Sequence, residues 1–295
     1  MLSIDLPPAV QRKLDHTLGQ WQHWQCEQPL PGAPQAQRVL GGGVSNYSIL
    51  VGTQRQWVVR IDGINPLQHG LNRQAEWSAL REASRHSLAP CPRYFNPDLG
   101  SLVCDYLPPD GATPATTAQL ADLLRRIHAL PPRHHRLDLA ERIQRYENRV
   151  SGRTGAAVQS LTLHAQAVAD LVQQVRDTDQ TRALCHNDLL RTNRIVSGGR
   201  LVALDWEYCA MGSTWYELAV ITQGDALPAR ERDDLLRAYL QREPLPQERH
   251  LLLQYECIYG YLELLWYVAQ GEGDLPGTAF DAKLRLLQDK LAGAC

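Results

Sequence analysis

Hydrophobic positions recur with two different periods along this chain, and each period predicts one type of element. An opening segment with Val10, Leu14, Leu18 and Trp21 at helical spacing predicts a helix. Short apolar runs separated by turn residues predict strands at 38–40, 47–51, 56–61 and 101–107. A second helix is predicted over 72–84, between the third and fourth strands. The first third of the chain is therefore expected to form a small sheet with accompanying helices.

A break in the pattern follows the fourth predicted strand. Pro108, Pro109 and Gly111 cannot continue a regular strand, and such a cluster is typical of a connection between compact parts. We expect a hinge here, with one lobe formed by residues 1–108 and a second by residues 109–295.

The pattern after this break is helical. Thr116 and Gln119 have the spacing of a capping box, and an apolar stripe from Leu120 to Leu130 follows them. Further helices are predicted at 160–177, 230–241 and 248–270, and a weaker one within 134–158. The sequence thus predicts an α+β fold with a small sheet-bearing lobe and a larger helical lobe.

Composition and charge narrow the class of protein. The 295-residue chain has a formal net charge of −2 and an isoelectric point near 6.5, so we expect no nucleic-acid partner. Apolar runs are too short to cross a bilayer, and the first residues lack a secretory pattern, so neither a membrane nor export is expected. The seven cysteines form no Cys-x-x-Cys pair, which favours reduced thiols and a cytoplasmic location.

Three polar residues in the second half carry the most specific chemical signal. Asn193 follows Asp188 by five residues, and Asp205 ends the second strand of a predicted hairpin turned at Gly198-Gly199. An aspartate can accept or orient a hydroxyl proton, while an amide and a second carboxylate are hard oxygen ligands for Mg²⁺. The spacing predicts in-line phosphoryl transfer. Taken singly, Asp188 is also compatible with a helix cap and Asn193 with a turn.

The glycine-rich segment 41–45 lies between two predicted strands, unlike phosphate loops that precede a helix. A glycine hairpin of this kind can cover nucleotide phosphates with backbone N–H groups, and Ser45 and Asn46 would add polar contacts. Arg60, at the end of the third strand, is then expected to reach the phosphates, with Glu76 fixing its position. The alternatives are an ordinary β-turn and two unrelated surface charges.

The segment after Asp205 limits the substrate. An apolar helix is predicted to begin near Tyr216, about ten residues later, which leaves little room for a loop that docks a peptide. We therefore expect no protein substrate, but a small molecule with a hydroxyl group. Glu207 would contact a second metal or a cationic substrate, or would lie at the surface.

At this point the chain resembles a known family. The segments HNDLLRTN, LDWEY and YELA are similar to those of the aminoglycoside phosphotransferase and choline kinase superfamily, and GGGVSNYS, QWVVRI, RQAEWSAL, LVCDYLP and LLRRIHALP extend the resemblance over most of 38–270. The resemblance implies a bilobed protein-kinase-like fold with a small antiparallel-sheet N-terminal lobe, and an enzyme that uses ATP and Mg²⁺. Many relatives have aspartate at the position of Glu217 and Gly-Asp at the position of Gly212-Ser213.

The resemblance also implies roles for particular residues. Asp188 would be the catalytic base, and Asn193 and Asp205 would bind Mg²⁺. The expected nucleotide contacts are Gly42, Gly43, Ser45, Asn46, Arg60, Glu76, Asp105, Tyr106 and Leu107. Arginine at position 60 together with LDWEY is similar to the choline, ethanolamine and thiamine kinase branch, and most similar to bacterial thiamine kinase.

Aromatic residues crowd the last third of the chain. Their faces attract ammonium or thiazolium cations, which suits a small cationic substrate, although aromatics at helical spacing also form cores. The substrate contacts expected on this basis are Trp206, Glu207, Tyr208, Trp215 and Trp266. Thiamine is the first substrate predicted, choline or ethanolamine the second, and an aminoglycoside or amino-sugar the third. A non-catalytic nucleotide-binding protein is the alternative of a different class.

Overall fold

The computed structural model describes residues 5–42, 46–52, 54–63, 65–111, 114–271 and 277–294. The chain forms two compact units, each discontinuous in sequence. Unit 1 comprises Met1–Thr113 and Ile195–Tyr208, and unit 2 comprises Pro114–Arg194 and Cys209–Cys295. The segment that ends with Asp205 thus belongs to unit 1, while the boundary at 108/109 stays a prediction.

Unit 1 is built on an antiparallel sheet with the strand order β1-β2-β3-β5-β4. Its strands are β1 (Ala36–Gly42), β2 (Asn46–Gly52), β3 (Gln56–Asp62), β4 (Pro92–Asn96) and β5 (Ser101–Asp105). Its helices are α1 (Pro8–Gly19) and α2 (Arg73–Arg85).

Successive side chains of a strand leave opposite faces of the sheet, so apolar side chains lie on one face and charged side chains on the other. On one face, Val10 and Leu14 of α1 pack with buried sheet residues, which are Ile49, Val51, Trp57, Val59, Ile61 and Val103. Arg60 falls between Val59 and Ile61 and is paired across the sheet with Ser48 and Leu102. Its side chain therefore leaves the opposite face, where α2 supplies Glu76.

A two-residue hairpin connects β7 (Arg194–Ser197) and β8 (Arg200–Ala203). Gly198 and Gly199 both have positive φ, 56° and 71°, as tight hairpin turns require. Their N–H groups donate to the two carboxylate oxygens of Asp110 at 2.8 and 2.6 Å. Asp110 therefore fixes the turn of the hairpin that leads to Asp205.

Unit 2 is mainly helical. Its helices are α3 (Thr117–His128), α4 (Leu139–Val150), α5 (Ala156–Thr162), α6 (Ala165–Thr178), α7 (Thr214–Gly224), α8 (Ala229–Leu240), α9 (Pro246–Gln270) and α10 (Gly277–Ala294). A short antiparallel pair, β6 (Ala183–Cys185) and β9 (Ala210–Gly212), accompanies them. The capping box predicted at Thr116 and Gln119 is present.

Helix α7 occupies the interior of unit 2. Every residue from Trp215 to Gln223 is buried, as expected of a helix that is apolar on all sides. Because it is rigidly packed, α7 can hold other segments in place. Nowhere in the described chain does a helix combine the length and the apolar character needed to span a bilayer.

The structure confirms the predicted α+β class, with an antiparallel sheet in one unit and mostly helices in the other. The sequence pattern missed β4, β6, β9 and α10. The weak signal within 134–158 corresponds to α4, which begins at an Asp138 cap, and to the first part of α5. The helix predicted at 160–177 is α6, which begins at Ala165 because α5 ends at Thr162.

Candidate active site

The cationic side chain predicted in the third strand has the partner predicted for it. In unit 1, Arg60 forms a two-pronged ion pair with Glu76, and the second contact, from Nη2 to Oε2, is 2.8 Å long. Arg60 Nη1 also lies 2.8 Å from Asp205 Oδ1. Burial alone would lower the pKa of Arg60, but Glu76 and Asp205 outweigh it and raise this pKa well above the ordinary value. Arg60 is therefore a permanent cation beside a candidate metal ligand.

A second buried arginine, which sequence reasoning missed, supports this pair. Arg73, in the first turn of α2, contacts Asp62 at 2.6 Å, Glu76 at 2.8 Å and Glu207 at 3.0 Å. Burial raises the pKa of Glu76, but Arg60 and Arg73 together lower it below its usual value. The signal that could have revealed Arg73 is its position three residues before Glu76, on the same face of one helix.

Glu207 is buried, so a surface role for this carboxylate is wrong. It has 4% of its area exposed and its Oε2 accepts from Arg73 and, at 2.8 Å, from Asn46 Nδ2. Burial and the nearby Asp205 raise the pKa of Glu207 to about 7. At least one carboxylate oxygen of Glu207 and the side chain of Asn46 are therefore hydrogen-bonded within unit 1.

The glycine hairpin is described only in part. Gly42 ends β1 and Asn46 begins β2, whereas Gly43 and Ser45 lie outside the described residues. Asn46 is paired across the strands with Asp62. Asn46 therefore ties the end of the hairpin to the cluster formed by Asp62, Arg73 and Glu207, and its side chain is not directed to solvent.

The predicted nucleotide contacts Asp105, Tyr106 and Leu107 lie at the end of β5 and directly after it. The N–H of Asp105 donates to the carbonyl of Cys91 at 2.9 Å, and the N–H of Tyr106 donates to the carbonyl of Gln56 at 3.1 Å. The Asp105 carboxylate binds Arg93 through two contacts of 2.7 and 2.6 Å. These groups are engaged within unit 1, so a nucleotide cannot use the N–H of either residue.

Asp205 itself has an unusual backbone conformation. Its φ is +55°, a left-handed value that costs energy for residues other than glycine but that aspartate tolerates better than most. Trp206 follows as a fully buried side chain whose Nε1 donates to the Ala203 carbonyl at 3.2 Å. A buried tryptophan next in sequence thus helps to fix the Asp205 conformation.

Asp188 and Asn193 are brought together in unit 2. Asn193 Nδ2 donates to the Asp188 main-chain carbonyl at 2.9 Å and to its carboxylate Oδ2 at 2.8 Å. We call residues 186–193 the 186–193 loop. A single 3₁₀ turn at Arg191–Asn193 brings Asn193 back to Asp188. The loop therefore orients one carboxylate by means of its own last residue.

Helix α7 holds both ends of the 186–193 loop. Glu217 Oε1 accepts the N–H groups of His186 at 2.7 Å and of Asn187 at 2.9 Å. Asp225, which caps the other end of α7, accepts the Arg191 N–H at 2.8 Å and pairs with Arg194. The glutamate at position 217 thus supports the loop directly.

Two tyrosines that are affected by the charge of Asp188 differ from the aromatics that we predicted for the substrate. Tyr216 of α7 and Tyr259 of α9 have ring centroids 6.3 Å apart. Burial raises the pKa of both hydroxyls, and the negative charge of Asp188 adds to the effect in each case. Sequence reasoning noted these residues among many aromatics, but the pattern did not single them out.

The aromatics that we predicted for the substrate belong to several different elements. Trp206 lies in the interior of unit 1, and Trp215 is buried in α7. Tyr208 follows Glu207 in a short 3₁₀ turn. Trp266 is half-buried near the end of α9, with its ring 5.1 Å from that of Tyr267. Trp206 and Trp215 are both buried, and their role in substrate binding stays a prediction.

One buried group in unit 2 has the composition of a metal site. Ligand atoms of His128, Cys185 and Glu217 lie within 4.8 Å of one another. However, His128 Nε2 bonds directly to Glu217 Oε2 at 2.6 Å, and burial raises the pKa of the Cys185 thiol well above its ordinary value. Because these atoms satisfy one another, the group is better described as a hydrogen-bonded support for the loop.

A sheet unit with a buried arginine–glutamate pair and a helical unit with an aspartate–asparagine loop define a phosphotransferase of the kinase type. Residues 36–252 match the APH phosphotransferase enzyme family. The chain belongs to this family, whose members transfer phosphoryl groups to hydroxyl acceptors.

Known proteins agree with this assignment. The crystal structure of choline kinase LicA from Streptococcus pneumoniae is similar with a TM-score of 0.75 and 22% identity, covering 96% of this chain and 99% of that one. ADP-bound aminoglycoside phosphotransferase APH(2'')-Ib has a TM-score of 0.60 at 12% identity, with 96% and 98% covered. A LicA homolog from Mycoplasma capricolum is 21% identical over 197 residues, 65% of this chain and 78% of that protein. The predicted protein-kinase-like fold is confirmed.

Proposed function

We propose that this phosphotransferase moves the γ-phosphoryl group of ATP to the hydroxyl of a small cationic amino alcohol, choline or ethanolamine. The observation that carries the proposal is the pair of hydrogen bonds from Asn193 to Asp188, because they orient a carboxylate as transfer to a hydroxyl requires. In this role Asp188 accepts or orients the proton of the attacking hydroxyl.

Side-chain oxygens at two further positions are suited to binding Mg²⁺. Since Asn193 uses its amide nitrogen on Asp188, its oxygen is the atom suited to a metal. Asp205 adds a carboxylate, of which Oδ1 faces Arg60, and its side chain is 31% exposed. Both are hard oxygen ligands of the kind that Mg²⁺ prefers, and the ion would neutralise charge on the phosphates.

The proposed adenine contacts take into account which backbone N–H groups already donate hydrogen bonds within unit 1. Because the N–H groups of Asp105 and Tyr106 are used within unit 1, we assign the adenine to the Asp105 carbonyl and the Leu107 N–H. Arg60, held by Glu76, would meet the phosphates, and Gly42, Gly43 and Ser45 of the glycine-rich segment are further proposed contacts. The ADP-bound relative supports a nucleotide donor.

The proposed acceptor is a cation because two tyrosines lie near enough to Asp188 to be affected by its charge. The charge of Asp188 raises the pKa of Tyr216 and of Tyr259, and aromatic faces attract ammonium groups by about 0.5–2 kcal/mol each. The similar choline kinase moves choline and ethanolamine ahead of thiamine, the first substrate predicted from sequence. Since ATP is supplied in the cytoplasm and none of the six described cysteines forms a disulfide, we keep the cytoplasm as the proposed location.

The test is ADP release from ATP and Mg²⁺ with choline, ethanolamine, thiamine and kanamycin measured in parallel. The proposal expects saturable release with choline or ethanolamine, and little above the acceptor-free rate with the other two. Selective release with thiamine would instead support the substrate first predicted from sequence. Selective release with kanamycin would place the enzyme among the aminoglycoside phosphotransferases.

A further inference from the structure

The start of the 186–193 loop rests on hydrogen bonds that originate on two other helices. Tyr239 Oη of α8 lies 2.8 Å from His128 Nδ1 of α3. On the other side of the imidazole, His128 Nε2 lies 2.6 Å from Glu217 Oε2. Glu217 Oε1 then accepts the two loop N–H groups, of His186 and Asn187. An uninterrupted relay thus runs from α8 to the residue that precedes Asp188.

The residue at the end of this relay has a strained backbone. Asn187 has a φ of +63°, and a left-handed backbone is strained for residues other than glycine and persists only where its surroundings impose it. Glu217 supplies that constraint, since it binds the N–H of Asn187 and of the residue before it. The direction in which Asp188 leaves the backbone depends on this conformation.

We propose that His128 is a positioning residue for phosphoryl transfer, which acts by keeping Glu217 ionised and oriented so that the loop presents Asp188 correctly. The inference rests on the proposed role of Asp188 as the base. Because His128 is remote from the reacting atoms in this scheme, its loss should lower kcat and leave the KM for ATP unchanged.

The charges around Glu217 support an ionised carboxylate. The titratable groups that face it are His128 of α3, His186 of the loop, Cys185 of β6 and Tyr239 of α8. Burial raises the pKa of Glu217, but the hydrogen bond and charge of His128, with His186 and the loop N–H groups, lower it below the ordinary value. Without His128 the effect of burial prevails, so the pKa of Glu217 rises. A neutral carboxyl is a weaker acceptor for the loop than a carboxylate.

Two substitutions of His128 distinguish the loss of its hydrogen-bond donor from the loss of the imidazole ring. His128→Leu removes the donor, whereas His128→Gln keeps an amide N–H that can reach Glu217. His134, an exposed histidine of the same unit, gives the matched control His134→Leu. Should His128→Leu fail to fold, Tyr239→Phe still tests the relay, because it removes only the hydroxyl that contacts His128 Nδ1.

The first readout is kinetic, with ATP, Mg²⁺ and either choline or ethanolamine. For His128→Leu we expect kcat to fall by about 10- to 100-fold, as misplacement of a reacting group does, at an unchanged KM for ATP. The acid limb of kcat should move up by about one pH unit. His128→Gln should recover most of the rate, and His134→Leu should match the wild type.

The second readout needs no acceptor. Hydrogen exchange at the amides of residues 186 and 187 should quicken at least about tenfold in His128→Leu and stay slow in His128→Gln and His134→Leu. Unchanged exchange together with an unchanged acid limb in His128→Leu would overturn the inference. Asp188→Ala separates the two proposals: if it retains wild-type turnover, the assignment of the base fails, whereas an inactive Asp188→Ala beside a normal His128→Leu refutes the relay alone.

Discussion

Asn193 binds Asp188 twice, with its Nδ2 2.9 Å from the main-chain carbonyl and 2.8 Å from the carboxylate Oδ2. One amide thus fixes both the backbone and the side chain of the proposed base. The same amide has its oxygen left to serve as a ligand, so a single residue connects the base to the proposed metal.

Removal of the base is the simplest test of its role. Asp188→Ala should lower kcat by roughly 10²- to 10⁴-fold, the range typical of general acid–base catalysis. The affinity for ATP, measured by titration calorimetry, should change little because the nucleotide contacts lie elsewhere. Wild-type turnover in this variant would exclude Asp188 as the base.

Asn193→Asp separates the two tasks of the asparagine. The variant keeps an oxygen ligand but loses the N–H donor, and it places a second carboxylate next to Asp188. We expect kcat to fall at least about 100-fold through misorientation of Asp188, while ATP binding still responds to Mg²⁺. A normal kcat would show that the hydrogen bonds from Asn193 are dispensable.

Part of the candidate site can be predicted from local sequence, and part of it cannot. Asp188, Asn193 and Asp205 were identifiable because their spacing is chemically specific, and Glu76 was identifiable because Arg60 needs a counter-charge. Arg73 was missed because its partner Glu207 lies 134 residues away.

The aromatic residues show why the substrate contacts were harder to predict. Trp206, Trp215, Tyr216 and Tyr259 give the same signal in the sequence, and all four are buried in the structure, so neither composition nor burial alone identifies the substrate contacts. His128 illustrates the same limit, because its partner Glu217 lies 89 residues away. Pattern reasoning finds periodicity and short-range spacing, whereas side-chain pairs across helices depend on tertiary packing.

The Arg60–Glu76 pair should give a pH-dependent contribution to stability. Because the pKa of Glu76 in the folded state is below the ordinary value of 4.5, its contribution is complete above that value and is lost as the pH falls through the folded-state pKa. Glu76→Gln should therefore reduce the free energy of unfolding by about 3 kcal/mol at pH 7, and the difference should shrink in acid.

Urea unfolding at several pH values measures this difference. The control is Glu82→Gln on the same helix, where the glutamate pairs with the exposed Arg85, and its cost should stay below about 1 kcal/mol. A Glu76→Gln difference that does not vary with pH would contradict the assignment of an ionised, paired Glu76.

Tyr259 tests the proposed cation site. Tyr259→Leu should raise the KM for choline by about two- to thirtyfold, the equivalent of one cation–π contact, whereas Tyr259→Phe retains the aromatic face and should resemble the wild type. Trp266→Leu is the matched comparison on the same helix. If Trp266→Leu alone raises the KM for choline, the sequence-based choice of Trp266 is correct and the site assigned to Tyr259 is wrong.

Direct identification of the product tests the central claim best. Phosphorus NMR of a reaction containing the enzyme, ATP, Mg²⁺ and either choline or ethanolamine, with Asp188→Ala as the blank, distinguishes transfer to the alcohol from hydrolysis. We predict a phosphomonoester resonance of the amino alcohol that grows in step with ADP and is missing from the blank. Growth of inorganic phosphate alone, or equal product with Asp188→Ala, would contradict the account.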